Sequence, residues 1–207
     1  MFKYVIFDVD GTILDTERAI LKSLDQVLRE EGHAYPIEEL RFALGIPGQE
    51  TLRKLKVDDL ERVHSKWSQA VLEFSHEVEV FEGLREVIQS LPEIPVRTGI
   101  VTSKTKQQLA DEFEPFGLTS NFEQIVCADD TKNHKPHPDP LLLCLAKLNA
   151  PPNEAIYIGD SVYDMQCAKE AGVKFALALW GAKQRKGFES ADYVLAEPKD
   201  MLQLLNE

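Results

Sequence analysis

Two aspartates separated by a single valine, Asp8 and Asp10, follow a short apolar run at 4–7 and precede Gly11 and Thr12. In a strand, side chains two residues apart share a face, so both carboxylates emerge together at the carboxyl end of that run. Open α/β sheets take their ligands at that edge. Carboxylates this close repel each other and call for a compensating cation or a shared proton. Taken alone, Asp-x-Asp-Gly is equally an acidic turn, because both residue types favour turns. A second acidic pair, Asp160 and Asp164, follows Tyr157-Ile158-Gly159 in the same way. Two strand ends then converge three or four carboxylates with no His or Cys among them. Such a hard, all-oxygen set suits Mg²⁺, which keeps waters that a phosphate can displace. Asp164 could instead serve as a capping acid at the start of the next helix, or support the site from behind.

An anion bound beside such a metal also needs donors. Gly99-Ile100-Val101 ends in Thr102-Ser103-Lys104, which offers a hydroxyl and free backbone N–H groups at a predicted helix N-terminus. Plain helix capping by the same residues stays open. Lys135 sits in His134-Lys135-Pro136-His137-Pro138-Asp139-Pro140, where three prolines stiffen the backbone that presents one ammonium. A solvated lysine on a proline-rich loop is the alternative. His134 and His137 lack a third ligand in that loop and are expected to be solvated.

The elements that must position these groups are legible as apolar runs at 4–7, 98–101, 124–127, 155–158 and 174–179. None alternates cleanly with polar residues, which points to parallel strands buried on both faces. Helical patterns lie between the later runs, such as Leu141, Cys144, Leu145 and Leu148, or Met165, Ala168 and Lys169 ending at Gly172. Strand-helix-strand order implies right-handed crossovers and a doubly wound, Rossmann-like parallel sheet. Between 16 and 80 there is no convincing strand. Ile20, Leu21, Leu24, Val27 and Leu28 form one helical stripe there, and Leu60, Val63, Trp67, Val71 and Phe74 another. At this length the stretch exceeds a single crossover, so the expected organisation is an α/β core of 1–15 and 81–207 with a small helical domain, 16–80, spliced in through two linkers.

Composition narrows the partners. With 43% hydrophobic and 28% charged residues the chain is an ordinary globular protein, and 23 Lys and Arg against 35 Asp and Glu leave a net charge of −12. That field repels nucleic acid and anionic membrane, and a phosphate-bearing ligand must find a local cationic site. Cys127, Cys144 and Cys167 are odd in number and show no Cys-x-x-Cys pair, so neither a disulfide framework nor a thiolate zinc site is indicated, and a reducing cytoplasm fits. No run approaches the length of a membrane span, and the first apolar run is too short for a signal peptide.

Asp8-Val9-Asp10-Gly11-Thr12, Thr102-Ser103, Lys135-Pro136 and Gly159-Asp160-Ser161-Val162-Tyr163-Asp164, in that order and each tied to a strand or its following loop, resemble the four motifs of the haloacid dehalogenase-like hydrolase superfamily. The helical insertion after the first motif resembles the cap of its phosphoglycolate phosphatase-like branch, and Ala191-Asp192-Tyr193-Val194-Leu195 is similar to that branch's C-terminal end. The resemblance implies that Asp8 is a nucleophile forming an aspartyl-phosphate and that Asp10 is the acid and base, its backbone carbonyl helping to bind Mg²⁺. It implies further that Thr102, Ser103 and Lys135 hold the phosphoryl oxygens, that Asp160 completes the metal shell, and that Asp164 orients the metal or Lys135. An acid at position 10 points to phosphoryl transfer, since dehalogenases and phosphonate-cleaving relatives lack it there. Phosphomutases of this kind carry a His soon after the first motif, and Thr16-Glu17-Arg18-Ala19-Ile20-Leu21 offers none, which weighs against a sugar phosphomutase. Gly45-Ile46-Pro47-Gly48-Gln49-Glu50 resembles the substrate-specificity loop, with Arg41 and Arg53 as candidate contacts for a second anionic group. The expected activity is a Mg²⁺-dependent phosphatase of a small phosphorylated metabolite, phosphoglycolate being one family example. An inorganic pyrophosphatase of the same fold is the nearest rival, followed by a protein-directed phosphatase or a non-catalytic phospho-ligand module. Hinges for closure of the helical domain are expected at 14–17 and 80–83.

Overall fold

The computed structural model describes residues 2–206. The chain runs β1 (Tyr4–Phe7), β2 (Leu14–Asp15), α1 (Glu17–Glu30), α2 (Ile37–Leu40), α3 (Gly48–Lys54), α4 (Leu60–Glu73), β3 (Glu79–Val80), α5 (Leu84–Ser90), β4 (Arg97–Val101) and α6 (Lys106–Glu112). It continues through β5 (Gln124–Val126), α7 (Asp139–Leu148), β6 (Ala155–Gly159), α8 (Val162–Ala171), β7 (Lys174–Ala178), α9 (Leu179–Ala182), β8 (Tyr193–Leu195) and α10 (Asp200–Asn206). Six strands form one parallel sheet in the order β5-β4-β1-β6-β7-β8. β1 is central, and the order reverses on either side of it, which opens the ligand crevice of a doubly wound sheet beside Asp8.

Continuous apolar runs make sense because both faces of this sheet are covered. Val5 and Phe7 point to one buried cluster with α5, α6 and α10, whereas Ile6 points to the other with α7 and α8. Ile156 and Ile158 divide from Tyr157 in the same way. The αL residues Asn149 and Gly172 end α7 and α8, the latter where the sequence places it.

The helices from 17 to 73 share a third cluster of their own, in which Leu21, Leu24, Val27 and Leu28 of α1 meet Val63, Trp67, Ala70 and Val71 of α4. Ile20, on the edge of the α1 stripe, is only half-buried and faces a cavity. The stretch is not free of strand. Leu14 pairs with Val80 and Asp15 with Glu79 in a two-rung antiparallel ribbon, so the chain enters and leaves the helical segment side by side. The run at 174–179 also ends one residue early, with Leu179 starting α9, and β8 adds a sixth strand at the sheet edge. Among the described residues no helix is long and apolar enough to cross a membrane.

Candidate active site

β1 delivers Asp8 to the carboxyl edge, where its backbone N–H donates to Ile158 O at 2.9 Å and its carboxylate is buried. Gly11, at a φ of +76°, then turns the chain so tightly that a side chain there would strike Asp160. β6 brings Asp160 opposite, and Thr12 Oγ1 donates to Asp160 Oδ1 at 3.0 Å. Oxygens of Asp8, Asp160 and Asp164 lie within 4.8 Å of one another. Lys135 is almost wholly buried, 2.9 Å from Asp8 Oδ1 and 2.7 Å from Asp164 Oδ1.

One ammonium against three carboxylates leaves negative charge uncompensated. Burial, opposed by Lys135 and reinforced by Asp164 and Asp10, holds the Asp8 carboxyl up at about 7. Burial, then Asp164 and Asp8, likewise holds Asp160 well above the usual carboxylate range. For Lys135 burial opposes the charge, yet Asp164 and Asp8 outweigh it and keep the ammonium protonated. A dication among these oxygens would relieve the repulsion, so the donor set fits a hard divalent ion.

Asp164 plays both parts that its sequence position left open. Its Oδ2 accepts from the Ser161 backbone N–H and hydroxyl, closing a capping box at the start of α8, while its Oδ1 accepts from Lys135 and lies 2.9 Å from the Tyr157 hydroxyl. With both oxygens occupied, it is a support for Lys135. Tyr157 itself gave no signal in the sequence beyond a buried strand residue. Its hydroxyl also lies 3.0 Å from Val101 O and 3.3 Å from Lys135 Nζ.

The second motif differs from expectation in detail. Thr102 is buried at the end of β4, and its hydroxyl accepts from the Lys104 N–H at 3.2 Å. Ser103 lines the cavity, but its hydroxyl donates to Gly45 O across to the helical segment. Lys104, of which only the backbone was expected to matter, buries its side chain in the site. Its Nζ pairs with Asp10 Oδ1 at 3.0 Å and donates to Glu112 of α6. Burial opposes this charge, but Asp10 and Glu112 hold it above the ordinary lysine range.

The cavity over Asp8 and Asp10 measures ≈ 60 Å³ and is walled by both halves of the chain, with Ile20, Ala43, Ile46, Trp67 and Val71 from the helical segment and Ser103, Lys104 and Gln108 from the core. Arg41 does not reach it, being paired with Glu17 and Glu38. Arg53 is exposed and opens onto a neighbouring cavity with His64 and His134. His137 is exposed as expected; His134 is half-buried, and its Nδ1 finds no hydrogen-bond partner. Cys127, Cys144 and Cys167 are free, buried thiols.

Known proteins resemble this chain over nearly its whole length. A Caldanaerobacter subterraneus protein provisionally named pyrophosphatase PpaX is 34% identical across 97% of this chain and 92% of its own. Pyrophosphatase PpaX of Bacillus mycoides is 31% identical across 98% and 96%. A Lactobacillus plantarum crystal structure, provisionally named phosphoglycolate phosphatase, superposes with a TM-score of 0.89 at 27% identity, covering 99% of both chains. The sequence model of the haloacid dehalogenase-like hydrolases matches residues 5–178, from β1 to the end of β7 and so across every strand end that supplies an acidic group. The chain belongs to that family of hydrolases and is an enzyme of its phosphatase kind.

Proposed function

We propose that the protein is a Mg²⁺-dependent phosphatase that hydrolyses a small phosphomonoester through an aspartyl-phosphate on Asp8. The observation that carries this reading is the buried Asp8 carboxylate, 2.9 Å from the Lys135 ammonium and within 4.8 Å of the Asp160 and Asp164 oxygens. Mg²⁺, held by Asp8, Asp160 and the Asp10 backbone carbonyl, would neutralise phosphate charge and so open phosphorus to an anionic nucleophile. Asp8 forms a bond to phosphorus as the ester P–O bond breaks, and Asp10 gives its proton to the departing alcohol oxygen. Asp10 then takes a proton from water, the resulting oxygen attacks phosphorus, and the Asp8–phosphorus bond breaks to release inorganic phosphate. Lys135 stays against the transferring group throughout, positioned by Asp164 and Tyr157. At the end of β4 the Thr102 N–H is taken by Val126 O at 3.0 Å, so Thr102 offers its hydroxyl and Ser103 its backbone N–H to the phosphoryl oxygens. The helical segment, 16–80, acts as a cap that closes over the site about the β2–β3 ribbon and excludes water during the first step. Free buried thiols suit a cytoplasmic enzyme.

Phosphate release from monoesters, with Mg²⁺ and with chelator, tests this directly. Asp8→Asn keeps the side-chain volume but removes the nucleophile; turnover should fall by at least about a thousandfold while the fold survives. Retained turnover in Asp8→Asn, or full activity in chelator, would sink the mechanism. The second reading, an inorganic pyrophosphatase, is favoured by the names of the relatives at 34% and 31% identity.

A further inference from the structure

The charges inside the cavity say what the departing group can be. Within the phosphatase reading, on which this rests, we infer that the site selects phosphomonoesters whose alcohol part is uncharged and hydroxyl-bearing, a small polyol or sugar, over those carrying a second anionic group. Beyond Asp8 and Asp10 the cavity is lined by two charged residues only, Lys104 and Glu112. Their side chains are 6% and 10% exposed, and the Lys104 ammonium bridges the Glu112 and Asp10 carboxylates. The other buried cation, Lys135, is committed to Asp8 and Asp164.

Within this cavity an incoming carboxylate or second phosphate therefore meets no free cation among the described residues; Arg53 lines the neighbouring one. To bind Lys104 it must displace one of two largely buried carboxylates, 15% and 10% exposed, leaving that charge poorly solvated and unpaired, or else lie beside Glu112 with like charges facing at lowered dielectric. A hydroxyl meets no such penalty. It can donate to Glu112 or join the pair formed by Gln108 Nε2 and Ser68 Oγ, which are 3.2 Å apart across the interface. Ile20, Ile46, Trp67 and Val71 supply an apolar wall for the carbon skeleton. At ≈ 60 Å³ the space admits only a small group. Pyrophosphate fits least, because its leaving group is itself a highly charged phosphate.

The test ranks kcat/KM of the enzyme at fixed free Mg²⁺ on glycerol phosphate and other small polyol phosphates against phosphoglycolate and pyrophosphate. The uncharged leaving groups should lead by about tenfold or more, the discrimination that one unpaired buried charge readily provides. Glu112→Gln frees Lys104 and should raise phosphoglycolate and pyrophosphate relative to glycerol phosphate by about tenfold, whereas a merely structural role would lower all substrates alike. Preference of the wild type for phosphoglycolate or pyrophosphate overturns the inference and leaves the aspartyl-phosphate mechanism standing. Absence of Mg²⁺-dependent turnover on every substrate overturns the phosphatase reading and the inference with it. The wild-type ranking decides the matter even if Glu112→Gln fails to fold.

Discussion

At the scale of single residues the site is held together by a hydroxyl that carries no charge. Tyr157 is fully buried, and its oxygen sits between Asp164, Val101 O and Lys135, joining the ends of β4 and β6 to α8 and the lysine loop. Burial, Asp164 and Asp8 together push its ionisation well above the ordinary tyrosine value, so it remains a donor. Tyr157→Phe leaves buried acceptors short of one hydrogen bond and should cost about 1–3 kcal/mol. In a chain of this size that lowers the melting temperature by about 2–4 °C for each kcal/mol. Because Lys135 loses one of its positioning contacts, kcat should drop more than KM rises. A melt unchanged from wild type would show that the hydroxyl is not needed to hold the lysine. The acids were legible because two pairs of them each follow an apolar run, which no single acidic turn explains, and Lys135 because three prolines stiffen the loop that presents it. Tyr157, Lys104 and Glu112 were not, since a tyrosine in an apolar run reads as core and charged residues near a helix read as solvated surface. Only the tertiary fold shows that α6 turns Glu112 inward.

At the scale of elements, the same contrast separates what periodicity reports from what it omits. The five apolar runs became strands because each is long enough to bury residues on both faces. β2 and β3 have two residues each, too few to carry a period, and they acquire strand character only by pairing with each other. The stripes of α1 and α4 were legible, but not that Ile20, Trp67 and Val71 at their margins would form the wall of the cavity. The loop between α2 and α3 docks this wall on the core. Gly45 O accepts from Ser103 Oγ at 3.1 Å, and a Cβ on Gly45 would lie 2.9 Å from both Cβ and Oγ of Ser161. Gly45 also has a φ of +89°, which other residues adopt at a cost. Gly45→Ala should therefore push the helical segment off the core beside the Asp164 capping box. Steady-state kinetics should show kcat/KM reduced by about tenfold or more, the usual penalty for a displaced site, with a melting temperature only a few degrees lower. An active Gly45→Ala enzyme would mean that the loop yields and that this seating does not set the site.

At the scale of the whole molecule, two sets of carboxylates pull the pH dependence of stability in opposite directions. Glu31 is held at about 2 against an ordinary 4.5, through hydrogen bonds from Arg62 and Lys66, so the stability it contributes is present above pH 4.5 and is lost as pH falls toward 2. Glu77, bonded to Lys22, and Asp192, bonded to Lys174, are lowered as well and act in the same sense, although such surface pairs are screened by solvent and salt. Asp8 behaves oppositely. Its carboxyl is raised from 3.8 to about 7, so the folded chain holds its proton where the unfolded chain has lost it, and stability declines as pH rises from 3.8 through 7. Asp160 is raised for the same reasons, and a net charge of −12 adds repulsion in the same direction. The groups facing Asp8 are Lys135, Asp164, Asp10 and Asp160, and only the first is cationic. In chelator, then, the melting temperature should be higher at pH 5.5 than at pH 7.5. Mg²⁺ should raise it by several degrees at pH 7.5 and by less at pH 5.5, where more protons compete for the same oxygens. Asp8→Asn should flatten the decline and weaken the response to Mg²⁺. A chelated protein that instead gains stability between pH 5.5 and 7.5 would mean that the buried acids are compensated by the protein alone, and the need for a dication at this sheet edge would disappear.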